Sequence, residues 1–217
     1  MADNYLEKKM EDYKSQASKG GPKGGAHSLG KLLLKNRSYR GYDNSFVVRE
    51  DQLRRIIEVN TRTPSARNQQ VLRFRPVTSE EAHKVLPHFR LGGALPNHHL
   101  PHEGQEPRAF VVVCTTSPNP DHYVYIDLGI AAQSMLLQAV EIGLGGICIG
   151  AFDKAAVKQS LGLELEPLLL IAIGKPNEKI KLVEIGPEES HNYWRDDEGT
   201  HYVPKIGVEE LTIKGDK

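Results

Sequence analysis

Apolar residues in the main part of the chain follow patterns that predict four strands separated by helices. Residues 109–115 (AFVVVCT) are continuously apolar, which is typical of a strand buried on both faces. Residues 72–78 alternate apolar and polar side chains, which is typical of a half-buried strand. Two further apolar runs, at 147–149 and 168–173, complete a predicted central sheet.

Helical periodicity is found mostly before and between these strands. The longest predicted helix covers 122–142, and its few polar residues leave most of its surface apolar. We therefore expect it to lie in a large core or a subunit interface, and Gly143 suits its C-terminal cap. Shorter helices are predicted before Arg37, before Pro64, and between Asp153 and Gly162.

This order of elements favours an α+β fold, because it lacks the strict strand–helix repeat of a doubly wound sheet. Residues 1–27 are predicted to form a helical arm that ends in a Gly-rich linker (GGPKGG), and 28–217 form the main domain. The stretch after Lys175 is polar and punctuated by Gly and Pro, so we expect it to be an irregular, extended C-terminal arm.

Composition narrows the class of function. The 28 Lys+Arg residues balance 28 Asp+Glu, which argues against a nucleic-acid binder that works by neutralising phosphates. No apolar signal region begins the sequence, and polar residues interrupt the apolar stretch 126–149, so we expect a cytoplasmic protein that does not enter a membrane. Cys114 and Cys148 lie in apolar runs, which predicts two small buried side chains rather than a disulfide framework.

Three other segments invite a functional interpretation. The glycines within 143–146 follow a helix and lead into a strand, the reverse of a dinucleotide fingerprint, so they predict a turn. His98-His99-x-x-His102 could hold zinc, but a Pro-rich loop in solvent is the favoured interpretation. The Gly- and Pro-rich segment 91–108 that contains these histidines is long enough to predict a substrate-facing lid.

Candidate binding chemistry is found in four separated segments. Residues 37–40 (RSYR) place two cations and a hydroxyl close together, a combination that can grip a phosphate. Residues 64–70 (PSARNQQ) form a small-residue turn followed by amides, which suits the edge of a flat heterocycle. Residues 147–153 lead from a strand into a capped helix, with backbone N–H groups available to a ligand, and Lys205 adds a late cation.

The order and separation of these segments resemble the FMN-dependent nitroreductase family over roughly residues 29 to 210. The resemblance is carried by Arg37-Ser38-x-Arg40, by Pro64-Ser65-Ala66-x-Asn68-x-Gln70, by the long helix from Asp127, and by residues 145–152. The stretches Tyr193-Trp194-Arg195 and Val203-Pro204-Lys205 are similar to one bacterial subgroup. The resemblance implies a central, mostly antiparallel sheet flanked by helices, in an intertwined homodimer.

The resemblance also implies how a flavin site is assembled. One subunit would hold the FMN phosphate and the pyrimidine edge through the 37–40 segment, with Lys205 on the phosphate. The other subunit would contribute the 64–70 turn, and Gly150 and Ala151 would lie against the ring near its N5. The residues expected to bind the cofactor are therefore Arg37, Ser38, Arg40, Pro64, Ser65, Ala66, Asn68, Gln70, Ile149, Gly150, Ala151 and Lys205.

The implied activity is ping-pong hydride transfer through flavin N5, from NADH or NADPH to a small acceptor such as a nitroaromatic or a quinone. No catalytic side chain is predicted, since hydride passes directly between stacked rings. Two alternatives stay open: a flavin-binding or storage protein without turnover, and an FMN-dependent reductase of a halogenated aromatic. Departures from the family pattern concern phosphate binding and substrate shape, at Asn36, Val71, Leu72 and Gly207.

Overall fold

The computed structural model describes residues 28–91 and 100–215. The predicted arm over 1–27 and much of the predicted lid lie outside these ranges. The helices are α1 (Leu29–Lys35), α2 (Glu50–Glu58), α3 (His122–Glu141), α4 (Lys154–Ser160) and α5 (Val208–Leu211). The strands are β1 (Leu72–Val77), β2 (Ala109–Thr115), β3 (Gly145–Ile149), β4 (Glu166–Gly174), β5 (Ile180–Ile185), β6 (Trp194–Arg195) and β7 (His201–Ile206).

A four-stranded sheet of order β1-β2-β4-β3 forms the centre of the molecule, and every neighbouring pair in it is antiparallel. All seven residues of β2 are buried, as its continuous apolar run predicts. The predicted α+β fold with an antiparallel central sheet flanked by helices is confirmed. The four predicted strands of this sheet lie where the hydrophobic pattern placed them, within two residues at each end.

Two hydrophobic layers cover the two faces of this sheet. On one face, side chains such as Val111 and Ile171 pack against α2 and α3. On the other face, Phe110 and Leu170 pack against Tyr42 and against Val157 of α4. Because both faces of the sheet are covered, its strands consist of continuous apolar runs. Strand β3 lies at one edge of the sheet, and polar residues can approach the sheet at that edge.

The long helix α3 behaves as predicted at its ends and only partly along its length. Asp121 accepts a hydrogen bond from the Val124 N–H at the N-terminus, and Gly143 takes a positive φ of 82° after the last turn. One side of α3 is packed into the core, although by length and composition the helix could cross a membrane. Tyr125 and Ile126 are exposed on the opposite side, 49% and 53% respectively, which leaves an apolar surface on this chain.

The expectation of an irregular segment after Lys175 is wrong. Residues 180–206 form a second sheet of order β5-β7-β6, in which β5 and β7 are parallel and β6 is antiparallel to β7. Its strands are short and mostly half-exposed, so they lack the apolar runs by which a buried strand is predicted. This second sheet places Lys205 on a defined strand rather than on a loose arm.

The glycines after α3 belong to β3 rather than only to a turn. A Cβ at Gly145 would lie 2.7 Å from the Tyr39 ring, and one at Gly146 would collide with the Ala172 carbonyl oxygen. Ser38 forms a parallel bridge with Gly146, and the Tyr39 N–H donates to the Gly146 carbonyl at 3.3 Å. Small residues at the start of β3 therefore let the 37–40 segment lie directly against the sheet.

Candidate functional site

A cationic cavity of about 350 Å³ lies between α3, β3 and the second sheet. Four of the twelve predicted cofactor-binding residues line it together: Arg37, Ser38, Arg40 and Lys205. The described residues that line this cavity include three cationic side chains and no carboxylate. Its volume lies within the range of roughly 300–1,000 Å³ that is typical of small-molecule sites.

Arg37 lacks a negative partner among the described residues. One guanidinium nitrogen donates to the Leu33 carbonyl, whereas Nε is buried with no hydrogen-bond partner. Burial lowers the pKa of the Arg37 guanidinium, and Tyr39 opposes this effect only partly. A half-buried cation with a buried, unpartnered donor is stabilised by an anion, so this side chain is suited to bind one.

The Arg40 side chain is held in place by neutral groups. Its Nη1 donates to the Ser38 carbonyl at 3.0 Å, and its guanidinium carbon lies 5.6 Å from the centre of the Tyr193 ring. Because neither contact neutralises the charge, Arg40 keeps a full positive charge at the cavity wall.

The second sheet supplies the opposite wall of the cationic cavity. Lys205 and Val203 come from β7, and Ile180 begins β5. Tyr193 and His201 also line the cavity, with their rings in an edge-to-face contact at 5.1 Å between centroids. Only Lys205 of this wall was predicted from the sequence as a binding residue, because the segment was treated as irregular.

Cys148 also lines the cationic cavity, and the prediction that it is buried is wrong. The alternation of β3 turns Ile147 and Ile149 into the core and Cys148 to the other face, whereas Cys114 is buried as predicted. Surrounding protein raises the pKa of the Cys148 thiol to about 11, so it is a neutral thiol at physiological pH.

The predicted 64–70 turn lies at a second cavity of about 840 Å³, which is bounded by α2, β1 and α3. Pro64, Ser65 and Gln70 line this cavity. Ala66 and Asn68 belong to the same turn but are not among its lining residues. The structure therefore brings the predicted cofactor residues together in two groups rather than in one.

The 64–70 turn contains three non-glycine residues in the left-handed region: Arg67, Asn68 and Gln70, with φ of 51°, 53° and 48°. Such backbone is unfavourable for most residues and persists only where surrounding contacts hold it. The Gln70 side-chain amide donates to Asn68 Oδ1 at 3.0 Å. These amides are therefore partly engaged with each other while remaining exposed.

Asp127 anchors this turn and was not predicted to do so. Its two carboxylate oxygens accept from the Ala66 N–H at 2.9 and 3.1 Å, and the residue is 6% exposed. In the sequence Asp127 was an isolated polar residue on an apolar helix. A buried carboxylate needs a donor, and that requirement was the signal that could have predicted an anchoring role.

The two cavities contact α3 on opposite sides. Asp127 and Ala131 line the larger cavity, whereas Gln133 and Leu136 line the cationic one. At 3.6 residues per turn these two pairs point roughly half a turn apart. The two cavities share no lining residue, so one planar ligand is not expected to contact both groups within a single chain.

Residues 149–151 lie in neither cavity lining. Ile149 is the last residue of β3 and is buried, so its side chain belongs to the core rather than to a binding surface. Gly150 and Ala151 are exposed beyond the strand end, and a Cβ at Gly150 would meet nothing within 4 Å. Open space therefore exists beside Gly150 for a flat group.

The zinc alternative receives no support from the described residues. Within 28–91 and 100–215 no group of three or more His, Cys, Asp or Glu residues could hold a metal ion. His98 and His99 lie outside those ranges, so that part of the prediction stays untested.

Comparisons with known proteins concern the fold and part of the sequence rather than the site residues. Residues 104–175 match the profile of the family described as "Nitroreductase family". A protein of Methanocaldococcus jannaschii that is named as a nitroreductase is 36% identical over 53 residues, which is 24% of this chain and 27% of that protein. The chain therefore matches only about a quarter of the length of this curated relative.

Solved structures extend the likeness to most of the fold. A nitroreductase family protein from Streptococcus pneumoniae superposes with a TM-score of 0.62 at 18% identity, covering 87% of this chain and all of that one. Over residues 104–175 the chain matches the nitroreductase family, and over most of its length it shares the fold of this solved structure. Another similar solved structure is the NADPH:FMN oxidoreductase of Vibrio harveyi in complex with NAD+, with 26% identity, a TM-score of 0.51 and 68% of each chain covered.

The nitroreductase profile covers β2 to β4 with α3 and α4, leaves out β1 and α2, and includes only three of the predicted site residues, Ile149, Gly150 and Ala151. The arginine segment, the 64–70 turn and Lys205 lie outside the matched residues. Their roles therefore rest on the geometry of the two cavities described above.

Proposed function

We propose that this nitroreductase-family chain is an FMN-dependent oxidoreductase that takes hydride from NADH or NADPH and reduces a small acceptor such as a nitroaromatic or a quinone. The observation that carries the proposal is the cationic cavity, whose described lining combines three cations, the hydroxyls of Ser38 and Tyr193, and no carboxylate. The Vibrio harveyi relative, named as an NADPH:FMN oxidoreductase in complex with NAD+, supports the choice of both nucleotides.

The donor set of the cavity fits the phosphate end of FMN. A phosphate monoester carries about two negative charges at neutral pH. Arg37, with its unpartnered Nε, and Lys205 are the cations that would offset them, and the Ser38 hydroxyl would add a donor. Arg40 would keep its positive charge near the pyrimidine edge, where charge collects when a flavin is reduced.

When bound, FMN supplies the hydride-accepting ring that side chains lack. The chain itself has to bind and orient the cofactor and the substrate and to exclude side reactions. The described residues therefore need no nucleophile or acid–base pair. The open space at Gly150 suits close approach of a ring. The neutral Cys148 thiol beside the cations gives the cavity wall a group that does not compete for them.

We further propose that two copies of the chain build each flavin site. The 64–70 turn and the arginine segment lie at cavities on opposite sides of α3, so a partner would have to supply one of them. Exposed apolar residues on α1 and α3, such as Leu34 at 66% and Ile126 at 53%, provide a surface that a second copy would cover. A cytoplasmic location belongs to this proposal, and the packing of α3 into the core supports it.

The proposal is tested by anaerobic half-reactions on protein reconstituted with FMN. We expect either NADH or NADPH to bleach the flavin absorbance, and a nitroaromatic or quinone to restore it without a further addition. If FMN binds tightly but neither nicotinamide bleaches it, the chain is a flavin-binding protein without turnover. If added FMN does not bind, the assignment of the cationic cavity is wrong.

A further inference from the structure

Glu178 lies directly behind the cationic cavity and takes no part in its lining. It precedes β5, and its side chain is only 4% exposed. One carboxylate oxygen, Oε2, accepts from the backbone N–H groups of Arg40 and Gly41, the latter at 3.0 Å. The carboxylate thus satisfies two consecutive donors of the arginine segment.

The other oxygen of Glu178 pairs with Arg195 on β6, whose side chain is 6% exposed. Arg195 is paired in register with His201 of β7, the strand that also carries Lys205. One buried carboxylate therefore connects the arginine segment to the second sheet. The cations on the two sides of the cavity are held relative to each other through it.

Close packing around Gly41 reinforces this connection. A Cβ at Gly41 would lie 2.6 Å from Gln105 Oε1 and 3.3 Å from Glu178 Cγ. The Asn177 N–H also donates to the Gly41 carbonyl at 3.1 Å. The backbone beside Arg40 is therefore fixed on more than one side, and the Glu178 carboxylate is the charged part of that arrangement.

We propose that Glu178, paired with Arg195, is a positioning residue that aligns the arginine segment with Lys205 for binding of the cofactor phosphate. This inference rests on the proposed function, because the ligand it serves is FMN. Glu178 itself does not touch the ligand, since it lies behind the cavity wall. A buried carboxylate of this kind keeps its place only while both of its partners are present.

Electrostatics alone predicts the opposite effect for the loss of this carboxylate. Removing a negative charge beside Arg40 would strengthen the binding of an anion in the cavity that Arg40 lines. Loss of alignment would weaken it, because two cations on different elements would no longer converge on one phosphate. The sign of the change therefore distinguishes positioning from a simple charge effect.

The test compares FMN with riboflavin, which lacks only the phosphate. We define the phosphate preference as the dissociation constant for riboflavin divided by that for FMN, measured by fluorescence titration of the full chain. In the Glu178→Gln variant we expect this preference to fall by about tenfold, the lower end of what is lost when a supporting partner behind a ligand is removed. General destabilisation would weaken both ligands alike and leave the preference unchanged.

Glu81→Gln is the matched control. Glu81 is also an ion-paired glutamate, bonded to Arg75 at 2.6 Å and Lys84 at 3.1 Å, but it lines neither cavity. Its replacement should leave the phosphate preference within about twofold of the wild type, as expected for a distant, independent site. If Glu178→Gln does not fold, Arg195→Lys keeps the charge but loses the guanidinium geometry, and a fall in the preference is expected there too.

The outcomes separate this inference from the proposed function. A wild type that binds neither flavin overturns both. A wild type that prefers FMN, together with a preference that is unchanged or raised in Glu178→Gln, overturns the positioning role alone. A preference that falls in Glu178→Gln and not in Glu81→Gln supports it.

Discussion

The arginine segment and the 64–70 turn are both proposed to hold the flavin, but the fold fixes them by different means. Residues 37–41 lie against the start of β3, where glycines allow close approach, and their cations face a confined cavity. The 64–70 turn is exposed and takes left-handed backbone at three residues, with one carboxylate of α3 as its anchor. In the first region, cationic side chains are partly shielded from water. In the second region, side-chain amides are presented from a left-handed backbone.

The difference indicates which kind of change each region is most sensitive to. In the arginine segment the unfavourable term is partly desolvated positive charge, which a bound anion relieves. In the turn it is backbone conformation, which a ligand relieves only by adding contacts. We therefore expect the cationic cavity to respond strongly to anions and the turn to respond to changes in its anchor.

The confinement of the cationic cavity is tested by alkylation of Cys148 with iodoacetamide. With a pKa of about 11, only about one thiol in a thousand is ionised at pH 8. We expect alkylation about a hundredfold slower than that of an unperturbed thiol, with a rate that rises tenfold per pH unit up to about pH 10. The Cys148→Ser variant is the control, because any alkylation that remains in it comes from Cys114. An alkylation rate typical of a free thiol would contradict the conclusion that Cys148 is desolvated in the cavity.

The anchor of the turn is tested by Asp127→Ala. The substitution leaves the Ala66 N–H without its acceptor beside a buried helix, so we expect the free energy of unfolding to fall by about 1–3 kcal/mol. FMN affinity should fall as well, since the turn loses its fixed position. Asp121→Ala removes the N-terminal cap of the same helix and should cost about 1 kcal/mol without changing FMN affinity. Equal effects of the two variants on FMN affinity would argue against an anchoring role.

The backbone strain of the turn is tested by Arg67→Gly, for which we expect the smallest effect. Glycine accepts a φ of 51° without penalty, so the free energy of unfolding should rise by about 0.5 kcal/mol after the entropy cost of glycine is counted. Arg62, with a φ of −124°, is the control, and Arg62→Gly should destabilise the protein by about 0.5–1 kcal/mol. Urea unfolding measures both, and a loss of stability in both variants would show that the turn is not strained.

The hydrophobic pattern was sufficient to predict the central sheet, because buried strands such as β2 are fully apolar. It also predicted α3, whose end is marked by Gly143, a residue that readily takes the positive φ found there. It failed for β5 to β7, because those strands are half-exposed and pair across long sequence separations. It also assigned Cys148 to the core, because a short apolar run does not reveal which face of the strand meets a cavity.

The candidate site was predictable in its residue types but not in its supports. Arg37, Ser38, Arg40 and Lys205 are brought together as the resemblance implied, whereas Asp127 and Glu178 act through tertiary contacts across 61 and 137–138 positions. The sequence around a single carboxylate does not indicate which distant backbone N–H group it will bind. Such roles can be assigned only when the fold is known.

Complementation between two defective variants tests the central claim, that two copies share each flavin site. Arg37→Gln with Lys205→Met removes the two cations assigned to the phosphate, and Asp127→Ala releases the turn, so each variant alone should bind FMN weakly. If the halves come from different subunits, random pairing of equal amounts restores about a quarter of the sites to wild-type affinity, one in each mixed dimer. Recovery of tight FMN binding after co-refolding is the result predicted here, and a mixture of folded dimers that binds no better than its components would contradict it.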